Sequence, residues 1–188
     1  MNIHRAETVS MMRSATPLVV VFVATAALLL GAILVAWFGC YRINFTPSEP
    51  LGLWRIVKFD RPAGVGDLVF ICPPQTPVMR EARVRGYLRS GLCPGAVAPL
   101  IKTIIAVAEQ RVDIGTSVTV DGHPVRFSEL ALRDGQGRPM TPFGDGIVPA
   151  GHVLLHSAFA GSYDSRYFGP VPASGILGLA REVLTYAP

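Results

Sequence analysis

The longest uninterrupted apolar stretch runs from Leu18 to Phe38 without a charged residue, and it divides the chain into parts of different character. Its 21 residues, at about 1.5 Å each, reach about 32 Å, enough to cross a hydrocarbon core of about 30 Å as one helix. A cleaved secretory signal has a shorter apolar region with small residues at the cleavage site. Here Ala36-Trp37-Phe38-Gly39-Cys40 puts bulky rings there, and Trp37 reads as an interfacial anchor. Arg5 and Arg13 precede the run, offset by Glu7, and no acidic residue lies between Thr16 and Ser48. The positive-inside rule then predicts a cytoplasmic N-terminus, with Arg42 beyond the helix weakening the bias. The expected order is a cytoplasmic tail over 1–16, a transmembrane helix over 17–39 and an exported domain over 40–188, the last long enough for one core.

Beyond the helix the apolar runs are short and separated by turn residues. Trp54 to Phe59 and Asp67 to Cys72 read as strands divided by the turn-rich 60–66 segment, which predicts a hairpin. Val78 to Leu88 fits a short helix. Leu100 to Val107 alternates as a strand whose two faces are both apolar, apart from Lys102. Ser117 to Val120, the Asp121-Gly122 turn and Pro124 to Phe127 predict a second hairpin. Arg133 to Gly146 is loop by composition, His152 to His156 reads as strand, and Arg166 to Val171 leads into a last strand or short helix. About seven short strands with regular turns and little helical periodicity predict a mainly β domain on one membrane anchor.

Composition narrows the partners. Half of the 188 residues are hydrophobic and the net charge is +4, yet the basic residues are scattered singly, which disfavours nucleic-acid binding and suits anionic lipid headgroups. Cys72 and Cys93 fall in the exported part, where they can pair, for about 3 kcal/mol, or stay as two buried thiols.

Three clusters carry candidate chemistry. In Thr46-Pro47-Ser48-Glu49-Pro50-Leu51-Gly52, ten residues past the apolar run, two prolines stiffen the backbone around a serine close to where the chain leaves the bilayer. Such a segment is either a linker or a presented nucleophile. Lys102 is the second candidate: an ammonium among Leu100, Ile101, Ile104 and Ile105 is penalised by desolvation and becomes a base once it loses its proton. The competing arrangement is an edge-strand lysine that snorkels into water. The third is Ser162-Tyr163-Asp164-Ser165-Arg166, whose hydroxyls, carboxylate and guanidinium suit a buried network. His152 and His156 are spaced for a helical metal pair but lie in a strand pattern without the HExxH glutamate, so no metal site is expected. Nothing local supports a triad of Ser48 with a histidine.

Taken in order, the membrane helix, Pro47-Ser48-x-Pro50-x-Gly52, Leu100-Ile101-Lys102-Thr103-Ile104-Ile105-Ala106-Val107 and Ser162-x-Asp164-Ser165-Arg166-Tyr167-Phe168-Gly169-Pro170-Val171 resemble the type I signal peptidase superfamily. Within it the chain looks most like the TraF-type peptidases of conjugative transfer systems, through Gly52-Leu53-Trp54, Cys72-Pro73-Pro74, Arg85-Gly86-Tyr87-Leu88 and Cys93-Pro94-Gly95. The resemblance implies a signal-peptidase-like β domain and a serine–lysine endopeptidase without cofactor, with Ser48 as nucleophile and Lys102 as general base. It implies Thr46 as oxyanion donor beside the Ser48 amide, a hydrogen bond from Ser162 to the lysine, and Asp164 with Arg166 as support. The implied setting is the bacterial inner membrane with a periplasmic catalytic domain. The implied partners are a propilin or another exported membrane-anchored precursor, the bilayer and type IV secretion components. Where signal peptidases usually carry Gly-Asp-Asn-Arg this chain has His156-Ser157-Ala158-Phe159, and it lacks their Pro-Gly-Asp after the lysine strand. These departures disfavour a general leader peptidase. The rival outside the enzymes is a non-catalytic anchored β module of a secretion apparatus.

Overall fold

The computed structural model describes residues 4–187. Two compact units divide the chain, Met1–Tyr41 and Arg42–Pro188. The first is built on helix α1, His4–Phe38, of which Pro17–Val35 is long and apolar enough to cross a membrane. Its described side chains are exposed, as suits a helix that packs on lipid. The hydroxyl of Thr25 donates to the Val21 carbonyl at 2.8 Å and so leaves no bare polar group on that surface.

The second unit is mainly β, as the sequence pattern indicates. Its strands are β1 (Tyr41–Asn44), β2 (Leu51–Val57), β3 (Leu68–Ile71), β4 (Ser90–Cys93), β5 (Leu100–Val107), β6 (Arg111–Ile114), β7 (Val118–Val120), β8 (His123–Pro124), β9 (Gly146–Ile147), β10 (His152–His156), β11 (Val171–Pro172) and β12 (Ile176–Tyr186). Seven form one sheet in the order β1-β2-β12-β3-β5-β10-β11 and four form a smaller one, β8-β7-β6-β9. The count exceeds the expected seven because the four-residue β1, β4 and β6 and the two-residue β9 and β11 are too short to leave a clear periodic trace in the sequence. Helix α2 (Pro77–Val84) falls within the expected helical stretch, with Pro77 opening it and the Thr76 hydroxyl accepting from the Met79 amide. A one-turn helix, α3, covers Ser165–Phe168.

The expected hairpin between β2 and β3 does not form. Strand β12 enters between them and pairs antiparallel with both. The turn-rich segment is instead a closed loop in which Asp67 accepts from the Gly64 amide at 2.8 Å and from Arg61. Its end is fastened to β5, since the Gly66 amide donates to the Ile104 carbonyl and the Ile104 amide to the Asp67 carbonyl. The inserted strand needs close backbone approach on the β2 side: a Cβ at Gly178, whose φ is +152°, would collide with the Val57 carbonyl. The second expected hairpin does form, with β7 and β8 paired around Asp121 and Gly122, both at positive φ as a type I′ turn requires.

Strand alternation divides the core. Val69, Ile71, Ile104 and Leu155 face one side of the large sheet, where Met79 and Ala82 of α2 and Val97 pack on them. Trp54, Phe70, Ile101 and Ala180 face the other. Cys72 and Cys93 are bonded, with their Cα atoms 5.5 Å apart, joining the end of β3 to β4 across 21 residues. Two of the three cysteines should therefore resist alkylation in denatured, unreduced protein and react once reductant is added; three reactive thiols without reductant would contradict the pairing. Replacing both by serine should lower the unfolding free energy by about 3 kcal/mol.

Candidate active site

Between the end of β1 and the start of β2 the chain turns through Thr46, Pro47 and Ser48, and this turn is fixed from within by Asn44. The Asn44 side chain is 8% exposed. Its Oδ1 accepts from the Thr46 amide at 3.0 Å and from the Thr46 hydroxyl at 2.7 Å. Its Nδ2 is shared among the carbonyls of Thr46, Glu49 and Pro50 at 2.9, 2.9 and 3.0 Å. Trp54, fully buried in β2, donates its indole N–H to the same Pro50 carbonyl at 2.9 Å. Gly52 completes the arrangement: its φ is +125°, and a Cβ there would strike the Leu184 carbonyl of β12. The serine thus stands on a backbone whose carbonyls are bonded inward. Its hydroxyl oxygen lies 3.5 Å from that of Thr46.

Lys102 sits in β5, an interior strand between β3 and β10, opposite Val69. The edge-strand alternative fails for that reason. The side chain is 3% exposed. Burial lowers its pKa to about 8, although the carboxylates of Asp164 and Glu49 pull it back up and Arg166 pushes with burial. Lys102, Ser48 and Thr46 line one cleft of about 280 Å³, bounded on the far side by the Tyr87–Leu92 and Ala98–Ile101 stretches. The disulfide fastens that wall at Cys93.

Behind the lysine lies the third cluster. Asp164 and Arg166 are almost wholly buried and doubly bonded, Nε to Oδ1 at 2.8 Å and Nη2 to Oδ2 at 2.9 Å. Arg166 also donates to the carbonyls of Glu129 at 2.6 Å and Ser162 at 3.1 Å, so the loop before α3 is tied into the core. Burial alone would raise the Asp164 carboxyl, but His156 and the Arg166 guanidinium outweigh it and hold the pKa below its ordinary value. The Ser162 hydroxyl is buried without a hydrogen-bond partner, so the bond to Lys102 implied by the resemblance is not made in this structure.

Ser157, Glu49 and His156 belong here as well, in roles that the sequence did not assign them. Ser157 donates its hydroxyl to the Ser48 carbonyl and its amide to Asp164 Oδ2 at 3.2 Å, joining the serine turn to the aspartate network. Glu49 is partly buried, and desolvation raises its pKa even though Lys102 and Ser157 lower it. His156 places Nδ1 3.4 Å from Asp164 Oδ2, close but not aligned as a hydrogen bond. A serine–histidine–aspartate triad would need its Nε2 on the serine hydroxyl, and that nitrogen has no hydrogen-bond partner.

A protein-family comparison places this arrangement: the model described as signal peptidase, peptidase S26, matches residues 13–185. The chain belongs to the peptidase S26 family. A probable conjugal transfer protein TraF of Sinorhizobium fredii is 69% identical over 188 residues, covering the whole of both chains. A conjugal transfer protein TraF of Agrobacterium fabrum is 56% identical over 171 residues, 90% of this chain and 97% of that one. A plasmid transfer protein TraF of Escherichia coli is 37% identical over 165 residues, 86% of this chain and 90% of that one. In this S26 chain the His156-Ser157 pair stands where the sequence departs from the usual signal-peptidase pattern, and the structure gives Ser157 a specific contact with the serine turn.

Two outcomes follow for stability. Asn44→Ala strands several buried groups of the turn and should lower the unfolding free energy by about 1–3 kcal/mol in denaturant titration. Lys102→Met should do the reverse. A lysine with a folded pKa of about 8 against an ordinary 10.5 binds fewer protons folded than unfolded. The resulting penalty of roughly 3 kcal/mol is fully present below pH 8, fades as pH rises to about 10.5 and is absent above. Thermal unfolding at pH 7 should therefore occur at a higher temperature in Lys102→Met, with the gap closing toward pH 10.5; a lower midpoint at pH 7 would contradict this burial.

Proposed function

We propose that the chain is a membrane-anchored serine endopeptidase that uses Ser48 and Lys102 to process an exported precursor, most specifically the pilin precursor of a conjugative transfer system. The observation that carries this reading is a buried lysine of lowered pKa lining the same cleft as a serine on a rigid turn. Family membership supports peptidase chemistry, and the names of the TraF relatives support the conjugative setting.

In this mechanism neutral Lys102 takes the proton of the Ser48 hydroxyl as Oγ attacks the scissile carbonyl carbon. Negative charge gathers on the carbonyl oxygen, which the Ser48 amide and the Thr46 hydroxyl stabilise by donating to it. The Thr46 proton now points to Asn44 Oδ1, so the hydroxyl rotates to serve the oxyanion while Asn44 keeps the Thr46 amide in place. Collapse breaks the C–N bond, and the ammonium of Lys102 gives its proton to the leaving amine. The acyl group on Ser48 is released by water, or by an amine when the product is joined to itself. Asp164, neutralised by Arg166, steadies the lysine without binding it as a full counter-ion.

The proposed location is the bacterial inner membrane, with the N-terminus cytoplasmic and the Arg42–Pro188 unit periplasmic. A serine only ten residues past the apolar run in sequence suits a substrate that is itself anchored in the bilayer. A general leader peptidase would share the chemistry and differ in substrate range.

Ser48→Ala and Lys102→Ala should each abolish precursor maturation while membrane levels of the protein stay normal; maturation in either would refute the mechanism. Lys102→Arg should fail as fully, because guanidinium stays protonated. The initial rate should rise about tenfold per pH unit up to about pH 8 and level off above it, as the neutral amine fraction does. Mass spectrometry of precursors after depletion separates the substrate ranges, with one accumulating species for the pilin reading and many for a general peptidase.

A further inference from the structure

The lining of the Ser48 cleft contains three cations, Arg42, Arg89 and Lys102, and no carboxylate. Asp164 and Glu49, the anions that act on Lys102, are not part of that lining. Most of the remaining wall is apolar, including Phe45, Leu92 and Ile101. An entering chain therefore meets positive charge set in an apolar groove, where a guanidinium attracts an anion more strongly than it would in open water.

Arg89 differs from the arginines near it. Arg83 donates to the Gly95 carbonyl, Arg85 to Glu81 and to the Pro139 carbonyl, and Arg138 to Asp134 and to the Arg85 carbonyl. Those five contacts with main chain or carboxylate tie down Arg83, Arg85 and Arg138. Arg89 has a fixed main chain, its carbonyl accepting from the Ala98 amide at 2.7 Å, but among the described residues its side chain makes no hydrogen bond or ion pair. It is exposed at the cleft wall. The surrounding structure places the guanidinium without using it.

We propose that Arg89 is a specificity-determining residue that receives a carboxylate on the substrate, so that the segment bound in the cleft is apolar and carries one negative charge. The carboxylate is either an acidic side chain or a free C-terminal carboxylate; both offer the planar two-oxygen acceptor that guanidinium matches. The assignment rests on the peptidase reading of the cleft. A neutral or cationic segment would leave Arg89 without a partner in the bound state or face repulsion from it.

The test is binding, separated from turnover. Full-length protein carrying Ser48→Ala in detergent is titrated against fluorescent apolar octapeptides with one glutamate or with glutamine in its place, each with a free or an amidated C-terminus. An anionic peptide should bind about tenfold more tightly than the neutral amidated one, and the difference should shrink as salt is raised. Arg89→Ala should remove the preference, and Arg89→Glu should transfer it to a lysine-bearing peptide. A preference that follows glutamate identifies a side chain; one that follows the free terminus identifies the chain end. Equal binding of all four peptides, including no measurable binding by any at millimolar concentration, overturns the proposal, as does a preference that survives in Arg89→Ala. Those results leave the maturation assay of Ser48 and Lys102 untouched, so the two readings fail separately.

Discussion

Most of this architecture answers to the burial of one ammonium group. An edge strand would let Lys102 reach water and keep its ordinary pKa, so the lowered value depends on β5 being paired on both sides, by β3 and β10. That pairing is what inserts the sequence-distant strand β10 beside the lysine and brings the Asp164 cluster with it. Too much negative charge would undo the effect by stabilising the ammonium. Arg166 takes both oxygens of Asp164 and itself pushes the lysine pKa down, so the pull of that carboxylate is opposed though not removed. Desolvation and two partly screened carboxylates then settle the amine near 8, where its neutral form is accessible at ordinary pH.

The serine turn solves a different problem, that of holding a hydroxyl still at the end of an irregular segment. Prolines limit the backbone but do not satisfy it. Asn44 does so from inside the turn and Trp54 from the core below. Ser157 reaches the Ser48 carbonyl from the far side of the sheet, so the two halves of the site share a rigid connection through Ser157 and Asp164. Strand β12 supports the same turn from beneath at Gly52.

What the sequence made legible were features with local grammar. The lysine within an apolar strand, the Pro-Ser-x-Pro turn, the Asp-Gly hairpin and the Asp164–Arg166 pair each show within a dozen residues, and the apolar helix within 21. The features it hid are those made across the chain. Ser157 meets Ser48 across 109 residues, and the sequence marks it only as part of a departure from the signal-peptidase pattern, which says nothing of that contact. The misread hairpin has the same origin: β2 and β3 satisfy local rules for pairing, yet β12, more than a hundred residues later, takes the position between them. Asn44 could have been found from its type, since an asparagine whose side chain accepts from the amide two residues on is a common way to start a turn.

The distribution of charge around the cleft follows from the same economy. Carboxylates on its surface would raise the pKa of Lys102 and leave it protonated, so negative groups are useful only where cations or burial restrain them, as at Asp164 and Glu49. The cleft lining holds Arg42 and Arg89 beside Lys102 and no carboxylate. The cation that acts on the amine, lowering its pKa along with burial, is the buried Arg166 rather than the arginines of the wall. A substitution that placed an acid on the wall would favour the ammonium form of Lys102 and raise its pKa.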